Sequence, residues 1–260
     1  RAAAAARPGG RDMRRLVRLL LTAVILLAPG LACAAQVQVA VAANFAEPAK
    51  EIAARFQQRT GHRAVLSFGA SGQLAAQIAN GAPFEVFLSA DAERPRKLEA
   101  GGLTERASRF TYATGRLVLW SRDPKRVDPR GEVLSAGRFH RLAIADPQVA
   151  PYGLAAVETL RALGLHERLR PKIVQGVSVT QAYQFAATGA AEVSFVALSQ
   201  VVAERGGSRW LVPARLHAPI AQQAVVLKTG ARNPAAAAFV AFLKSSDAKA
   251  VIRKHGYEVP

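Results

Sequence analysis

Short apolar segments alternate with longer amphipathic segments along most of the chain. Val37, Val39 and Val41 occupy every second position of the first apolar segment, a spacing typical of a β-strand. The segment after it places Ile52 and Phe56 on one face of a helix. This order is then repeated, which favours an α/β fold with parallel strands and helices on both faces of the sheet.

The same pattern predicts the remaining elements. Strands are expected at residues 63–68, 85–89, 116–121, 142–145, 172–174, 192–196 and 224–228. Helices are expected at residues 48–60, 71–80, 92–100, 154–163, 178–188, 234–243 and 247–254. Several of these helices have Ser, Asn or Pro near their start and Gly after their end, which are the residue types favoured there.

A polar connection at residues 124–137, which contains Pro and Gly, separates two units of this kind. The last strand and the C-terminal helices have no evident place in the second unit, so we expect them to return to the first. The chain is therefore predicted to form two lobes with a ligand cleft between them, joined by a hinge of two segments near residues 112–116 and 220–223. The predicted first lobe comprises residues 35–113 and 223–260, and the predicted second lobe comprises residues 114–222.

The N-terminal segment is expected to be an export signal. Basic residues within positions 14–18 precede an apolar run at positions 19–31, and Ala32-Cys33-Ala34 follows as an A-x-A cleavage pattern. The apolar run is too short to span a bilayer comfortably. Residues 13–34 are therefore predicted to be a signal peptide cleaved after Ala34, and the mature protein is predicted to be exported.

Two further expectations concern this N-terminal part. Met13 is the only methionine and directly precedes the basic residues, so residues 1–12 are expected to be an upstream extension. Lipid anchoring at Cys33 is not favoured, because Gly30 stands where a lipidation signal carries a large aliphatic residue. Cleavage removes Cys33, the only cysteine, so the mature chain has no disulfide and no cysteine ligand for a metal.

The charge balance is strongly basic. The formal net charge is +17, of which +5 lies in residues 1–34, so the mature chain carries about +12. This balance suits either a nucleic-acid partner or dispersed basic residues whose field steers an anionic ligand. The basic residues are spread along the chain without interleaved aromatic residues, and an exported protein rarely meets nucleic acid, so no nucleic-acid partner is expected.

Motifs of catalysis do not occur in the sequence. The five histidines are scattered without an H-x-x-x-H pair, and neither G-x-S-x-G nor the phosphate-binding motif G-x-x-x-x-G-K-[ST] is present. The chain is therefore expected not to be an enzyme and to need no cofactor.

Four predicted strand-to-helix turns carry small or hydrogen-bonding residues. Ser71, between Gly69 and Gly72, stands at a predicted N-cap, where backbone N–H groups, a hydroxyl and the positive end of a helix dipole meet. The other three turns are Ala43-Asn44, Pro151-Tyr152-Gly153 and Ser178-Val179. Any one of these residues could serve only as a cap or a packing contact. Because two turns come from each predicted lobe, however, we expect them to face one shared pocket.

The centres of these turns carry no Lys, Arg, Asp or Glu. A small, fully ionised and weakly basic tetrahedral oxyanion can be held by neutral dipoles alone, because its oxygens accept many hydrogen bonds and it brings no proton. The residues thus favour a receptor for such an oxyanion. Sulfate, phosphate or an organic anion remains the alternative ligand within the same class of receptor.

Several segments, in this order along the chain, resemble those of the periplasmic molybdate-binding proteins of ATP-driven molybdate importers. They are residues 41–45, 68–78, 81–91, 145–147 and 151–153. The resemblance covers essentially the whole mature chain. It implies the type II periplasmic binding-protein fold, capture of molybdate or tungstate, and delivery of the ligand to the membrane permease of an ABC importer. A monomer is expected.

The resemblance also implies which residues contact the ligand. The first-lobe contacts fall on Ala43, Asn44 and Ser71, and the second-lobe contacts fall on Tyr152 and on the backbone N–H of Val179. These residues would hold the oxygens of the anion, so no side chain is expected to coordinate the metal atom directly.

One position departs from part of the family. Some members supply a tyrosine hydroxyl from the turn after the strand that ends here at Val196, where this chain has Ala197. Other members have alanine at the position of Tyr152, so Tyr152 is a candidate source of that hydroxyl. The number of hydrogen bonds to the ligand stays open at this point.

Overall fold

Two five-stranded sheets form the framework of the computed structural model, which describes residues 34–260. The predicted extension at residues 1–12 and the predicted signal peptide, apart from Ala34, lie outside the described residues. The strands are β1 (Gln36–Ala42), β2 (Arg63–Gly69), β3 (Val86–Ser89), β4 (Phe110–Gly115), β5 (Leu117–Ser121), β6 (Leu142–Ala145), β7 (Ile173–Gly176), β8 (Val193–Ala197), β9 (Ser208–Leu211) and β10 (Ile220–Val226).

The helices lie between these strands and after the last of them. They are α1 (Ala46–Thr60), α2 (Ser71–Ala79), α3 (Glu93–Ala100), α4 (Glu132–Ala136), α5 (Pro151–Ala162), α6 (His166–Leu169), α7 (Val179–Thr188), α8 (Leu198–Val201), α9 (Pro234–Leu243) and α10 (Ser246–Lys254). Short 3-10 turns occur at Ala43–Phe45, Arg170–Lys172, Ala214–Leu216 and Lys228–Gly230. Among the helices of residues 34–260, none has both the length and the apolar character needed to cross a bilayer.

The first sheet has the order β2-β1-β3-β10-β4. Strand β1 is parallel to β2 and β3, whereas β10 is antiparallel to β3 and β4. Helices α9 and α10 pack with this sheet, since Phe239 and Ile252 share a buried cluster with Val39. The C-terminal part of the chain therefore returns to the first lobe, as predicted.

The second sheet has the order β7-β6-β8-β5-β9. Strand β6 is parallel to β7 and β8, and β5 is antiparallel to β8 and β9. The chain passes to this sheet after β4 and leaves it before β10, so two segments connect the sheets. The prediction of two α/β lobes is confirmed, with the correction that each sheet is mixed rather than wholly parallel.

Two strands, β4 and β9, were not predicted from the sequence pattern, and β10 begins four residues before the strand predicted at 224–228. Residues 110–115 and 220–223, most of which the sequence assigns to the hinge, are paired with each other as β4 and β10. In β10 the alternation is present, but a polar residue, Gln222, occupies one of its buried positions and is fully buried. A period-2 pattern with a glutamine on the apolar face does not indicate a strand by hydrophobicity alone.

Each lobe buries its own set of large apolar side chains. In the first lobe Phe56 of α1 packs edge-on against Phe239 of α9, with ring centroids 5.3 Å apart. In the second lobe Leu119, Leu142 and Phe195, from three neighbouring strands, are almost completely buried. Burying one such side chain contributes about 1.5–3 kcal/mol. Each sheet is therefore stabilised by the apolar side chains that are buried within its own lobe.

Candidate functional site

One pocket lies between the carboxyl ends of the strands of the first lobe and the helix N-termini of the second. All five residues named as ligand contacts from the sequence line it. The lining residues are Ala42, Ala43, Asn44, Ala70, Ser71, Ala90, Ala150, Pro151, Tyr152 and Val179. The cavity is small, about 200 Å³ including the part that opens to solvent. Its lining carries no charged side chain, so its polarity comes from backbone dipoles, the hydroxyls of Ser71 and Tyr152 and the amide of Asn44.

Ser71 is placed differently from the expectation. The N-cap of α2 is Ala70, and Ser71 is the first helical residue. Its Oγ accepts a hydrogen bond of 3.0 Å from the backbone N–H of Ala90. The prediction that Ser71 caps the helix is therefore wrong. Because the oxygen serves as an acceptor for Ala90, the hydroxyl proton is free to be donated into the pocket.

The side chain of Asn44 lies in a buried polar network. Its Nδ2 donates to Oε1 of Gln222 at 2.9 Å and to the hydroxyl of Tyr257 at 3.0 Å. Both amide protons of Asn44 are thus used. The backbone carbonyl of Asn44 accepts from the hydroxyl of Ser199, on the second lobe, at 2.8 Å. Asn44 is therefore not a simple helix cap, and what it leaves for a pocket ligand is its backbone N–H.

Tyr152 reaches the same network from the second lobe. It is the second residue of α5 and is 2 % exposed. Its hydroxyl oxygen accepts from Nε2 of Gln222 at 3.3 Å. The hydroxyl also lies against Gly115, where an added Cβ would come within 2.1 Å of it. The aromatic ring thus directs the hydroxyl towards the crossing strands β4 and β10.

The N-terminus of α5 sits unusually close to the end of β6. A Cβ added to Gly153 would lie 2.1 Å from the carbonyl oxygen of Ala145, so only glycine permits this approach. Pro151 begins the helix three residues earlier than the sequence predicts, because its ring sets a helical φ and an N–H is not needed at that position. Together they bring the start of α5 to the pocket, which Pro151 and Tyr152 line.

Val179 is the first residue of α7. Its N-cap is Ser178, whose Oγ accepts from the backbone N–H of Gln181 at 3.3 Å, as the sequence predicts. The first N–H groups of a helix have no acceptor within the helix. In residues 34–260, no backbone acceptor is found for the N–H groups of Ser71, Tyr152 and Val179, each of which belongs to a pocket residue.

Ala197 takes no part in the lining. It ends β8, and its backbone N–H donates to Oε1 of Gln200 at 2.9 Å. The hydroxyl that some family members supply at this position is thus missing here, and the structure places the Tyr152 hydroxyl in the buried network instead.

Burial keeps the tyrosine hydroxyls of the network neutral. Burial raises the pKa of Tyr257 to about 12, and it raises the pKa of Tyr112 and of Tyr152 well above the usual value for tyrosine. These groups therefore act as uncharged hydrogen-bonding partners at neutral pH. Four members, Gln222, Tyr112, Tyr257 and Ser199, were not found by sequence reasoning, because their partners in the network are far away in the chain.

No group of three or more His, Cys, Asp or Glu side chains suited to a metal ion occurs within residues 34–260. A neutral pocket enclosed by two α/β lobes, with helix N-termini facing it, is instead typical of receptors that close around a small solute. Fold and site thus define a two-lobed solute-binding protein.

Comparison with known proteins agrees with this class. The family model described as bacterial extracellular solute-binding protein matches residues 37–258. The molybdate-binding protein ModA of Rhodobacter capsulatus is 57% identical over 87% of this chain and 89% of its own length. ModA of Azotobacter vinelandii is 54% identical over 90% of this chain and 96% of its own length.

The structural likeness is equally extensive. The solved structure of the Azotobacter vinelandii periplasmic molybdate-binding protein superimposes with a TM-score of 0.84, covering 86% of this chain and 99% of that one at 44% identity. The chain belongs to the bacterial extracellular solute-binding protein family, and its lobes have the type II periplasmic binding-protein fold. The family consists of binding proteins and not of enzymes.

Proposed function

We propose that this protein captures molybdate, and tungstate in the same way, for an ABC importer. The observation that carries the proposal is the pocket itself, in which N–H groups from both lobes and one hydroxyl converge with no charged side chain among them. The ModA names of the two relatives that are more than half identical support molybdate as the ligand.

The proposed contacts are Ala43, Asn44, Ser71, Tyr152 and Val179. Ser71 donates its hydroxyl proton, since its oxygen already accepts from Ala90. Asn44 and Tyr152 contribute backbone N–H groups, since both protons of the Asn44 amide are used and the Tyr152 hydroxyl is directed towards Gln222 and Gly115. Donors of this kind suit a dianion whose four oxygens are all acceptors.

Neutral donors also discriminate among oxyanions. Phosphate keeps a proton at neutral pH, and the pocket lining offers no carboxylate to accept it. Sulfate is fully ionised but smaller than molybdate, so donors held at the larger radius would be left without full hydrogen bonds, which costs about 1–3 kcal/mol for each. Selectivity for the larger dianion follows.

The cellular setting is part of the same proposal. Residues 13–34 direct export, the mature chain is a periplasmic monomer, and the loaded protein delivers its ligand to the permease of the importer. The lobes move about a hinge where the chain passes between the sheets, next to Gly115 and Ile220, within a few residues of the boundaries expected from sequence.

The test is a thermal-shift series on residues 35–260 with molybdate, tungstate, sulfate and phosphate at equal concentration and ionic strength. A ligand at a hundredfold excess over its Kd stabilises the folded state by about 2.7 kcal/mol. Molybdate and tungstate should raise the melting temperature by several degrees, and sulfate and phosphate should not. An equal shift with sulfate would favour the alternative, a receptor for another oxyanion.

A further inference from the structure

Two hydrogen bonds cross between the lobes beside the pocket without belonging to it. The backbone N–H of Gly72, in the first lobe, donates to the carbonyl oxygen of Val149 at 2.8 Å. The guanidinium of Arg94, also in the first lobe, donates through Nη2 to the carbonyl oxygen of Gln148 at 2.8 Å. None of these four residues lines the pocket. Two consecutive carbonyls of the second lobe thus meet two donors of the first.

The donor side is held in place before any contact with the second lobe. Arg94 lies in the first turn of α3, and its guanidinium forms an ion pair with Asp91. The backbone N–H of Arg94 also donates to Oδ1 of Asp91 at 2.9 Å. Both side chains are mostly buried, 19% and 18% exposed. The ion pair leaves the guanidinium oriented and its charge largely compensated.

The acceptor side is equally constrained. Asp146 closes a tight turn: its Oδ1 accepts from the backbone N–H of Gln148, and its carbonyl oxygen accepts from that of Ala150, each at 2.9 Å. The turn leaves the carbonyl groups of Gln148 and Val149 available to the first lobe. Closure therefore joins two preorganised surfaces, and little conformational entropy is lost when the bonds form.

A glycine is required at position 72 because the two lobes approach each other closely there, and not because the backbone has a positive φ. A Cβ at this position would lie 2.9 Å from Cα of Val149 and 3.0 Å from Val149 O and from Nε of Arg94. The nearest obstacles are backbone atoms of the other lobe, which cannot rotate away. A side chain at position 72 would thus be tolerated within the first lobe but would hold the second lobe away.

We propose that Gly72 and Arg94 form a clasp that holds the lobes closed without touching the ligand and thereby sets the rate of ligand release. Arg94 is in this sense a positioning residue. The inference rests on the proposed function because its test uses molybdate as the probe. The contacts from which it is argued join the two lobes and do not involve the ligand. Removal of the clasp favours the open state, so release accelerates while capture by the open protein changes little.

The first experiment measures release of isotopically labelled molybdate into an excess of unlabelled molybdate. Arg94→Gln should release the label about tenfold faster, the effect of losing one charge-assisted hydrogen bond from the closed state. The association rate should change by less than about threefold. Arg96→Gln is the matched control, because Arg96 lies on the same helix, carries the same charge and is exposed.

A second variant separates the clasp from the charge. Arg94→Gln leaves Asp91 without its ion-pair partner near an anion site, and this alone could weaken binding. The double variant Asp91→Asn, Arg94→Gln removes both charges and retains a side-chain oxygen at position 91 to accept from the backbone N–H of residue 94. Fast release in the double variant supports the clasp. Release restored to the rate of the unaltered protein would mean that charge repulsion was responsible, and the proposal would be overturned.

The third variant tests the approach of the lobes directly. Gly72→Ala should not impair folding, since alanine has the higher helix propensity by about 1 kcal/mol. It should block full closure, because the added methyl meets the backbone of Val149. Gly101→Ala is the control, since a Cβ there meets its nearest neighbour, Lys97 O, at an ordinary 3.4 Å.

Closure is read from the distance between spin labels. Ala76→Cys on α2 and Ala162→Cys on α5 place one label at an exposed position on each lobe, and residues 35–260 contain no other cysteine. Ligand-free and molybdate-loaded protein are compared. Gly72→Ala should keep a wider separation than Gly101→Ala in both, and Arg94→Gln should widen the ligand-free distribution.

The outcomes distinguish the clasp from the proposed function. If the unaltered protein fails to retain molybdate, the function is wrong, and the ligand-free label distances still decide on the clasp. If it retains molybdate but Arg94→Gln and Arg96→Gln release it equally fast, or if Gly72→Ala closes as fully as Gly101→Ala, the clasp is wrong and the function stands.

Discussion

The backbone N–H of Ala90 donates a hydrogen bond of 3.0 Å to Oγ of Ser71. This bond joins the start of α2 to the end of β3 and occupies the serine oxygen as an acceptor. The hydroxyl proton of Ser71 also has no carbonyl acceptor within α2, because Ser71 is the first residue of that helix. The donor role proposed for Ser71 uses the proton that this bond leaves available.

Ser71→Ala should therefore weaken molybdate binding by about 1–3 kcal/mol, since a donor to a charged oxygen is lost. Titration calorimetry on residues 35–260 measures the change. Ser135→Ala is a suitable control, because Ser135 is exposed and its hydroxyl donates only to Glu132 O. Unchanged affinity in Ser71→Ala would show that the serine has only the structural role towards Ala90.

Gln222→Leu should destabilise the protein by about 3 kcal/mol. The glutamine is fully buried, and its Oε1 accepts from Nδ2 of Asn44 and from the hydroxyl of Tyr112. Leucine would leave both donors buried without this acceptor, at about 1–3 kcal/mol each. Urea unfolding measures the loss. Gln223→Leu, at a half-buried neighbouring position, should cost clearly less, and equal losses would contradict the role of the network.

Tyr152→Phe should leave the affinity for molybdate within about threefold of the unaltered value while costing about 1 kcal/mol of stability. The hydroxyl it removes accepts from Gln222, and the backbone N–H that faces the pocket is retained. Titration calorimetry and urea unfolding measure the two effects. Tyr183→Phe, which removes an exposed hydroxyl bonded to Glu204, should change neither quantity. A large loss of affinity in Tyr152→Phe would make its hydroxyl a ligand contact.

Glu51→Gln should remove a pH-dependent part of the stability. Hydrogen bonding to Lys254, with further contributions from His255 and Arg55, lowers the pKa of Glu51 from 4.5 to about 2. A carboxyl whose pKa is depressed in the folded state stabilises it fully above the unfolded pKa and loses that effect as the pH falls through the folded pKa. The contribution is thus complete above about pH 5 and disappears towards pH 2.

Urea unfolding at a series of pH values measures this effect. At pH 7 the unaltered protein should be more stable than Glu51→Gln, and the difference should shrink as the pH approaches 2. Glu47→Gln is the control, because Glu47 is exposed and pairs only with Lys50 one helical turn away. A constant difference between pH 7 and pH 2 would contradict the assigned cause.

Much of the fold follows from local pattern. The alternation of Val37, Val39 and Val41 predicts β1, and the caps at Ser178 and Asn233 begin α7 and α9 as expected, each accepting from an N–H of its own helix. These features depend on residues a few positions apart, so they can be read along the chain. The five residues proposed as contacts, all of which line the pocket, were likewise recognisable, as neutral residues in strand-to-helix turns and through their family resemblance.

Other features depend on partners far away in the chain. Asn44 has the same appearance in the sequence whether it caps a helix or joins a network, and its actual partners, Gln222 and Tyr257, are 178 and 213 residues away. The pairing of β4 with β10 is equally remote. Packing of the two lobes decides such contacts, and no local pattern encodes them.

The sequence by itself thus determined most of the elements, though not β4 or β9, together with the two-lobed class and the neutral character of the site, because periodicity, caps and the absence of charge are properties of short segments. Only the tertiary structure decided which donors remain available there. In the folded protein the Ser71 oxygen accepts from the N–H of Ala90, and the Asn44 amide donates to Gln222 and Tyr257. The N–H of Gly72 donates to the carbonyl oxygen of Val149. A side chain can give each proton to only one acceptor at a time, and long-range packing chooses that acceptor.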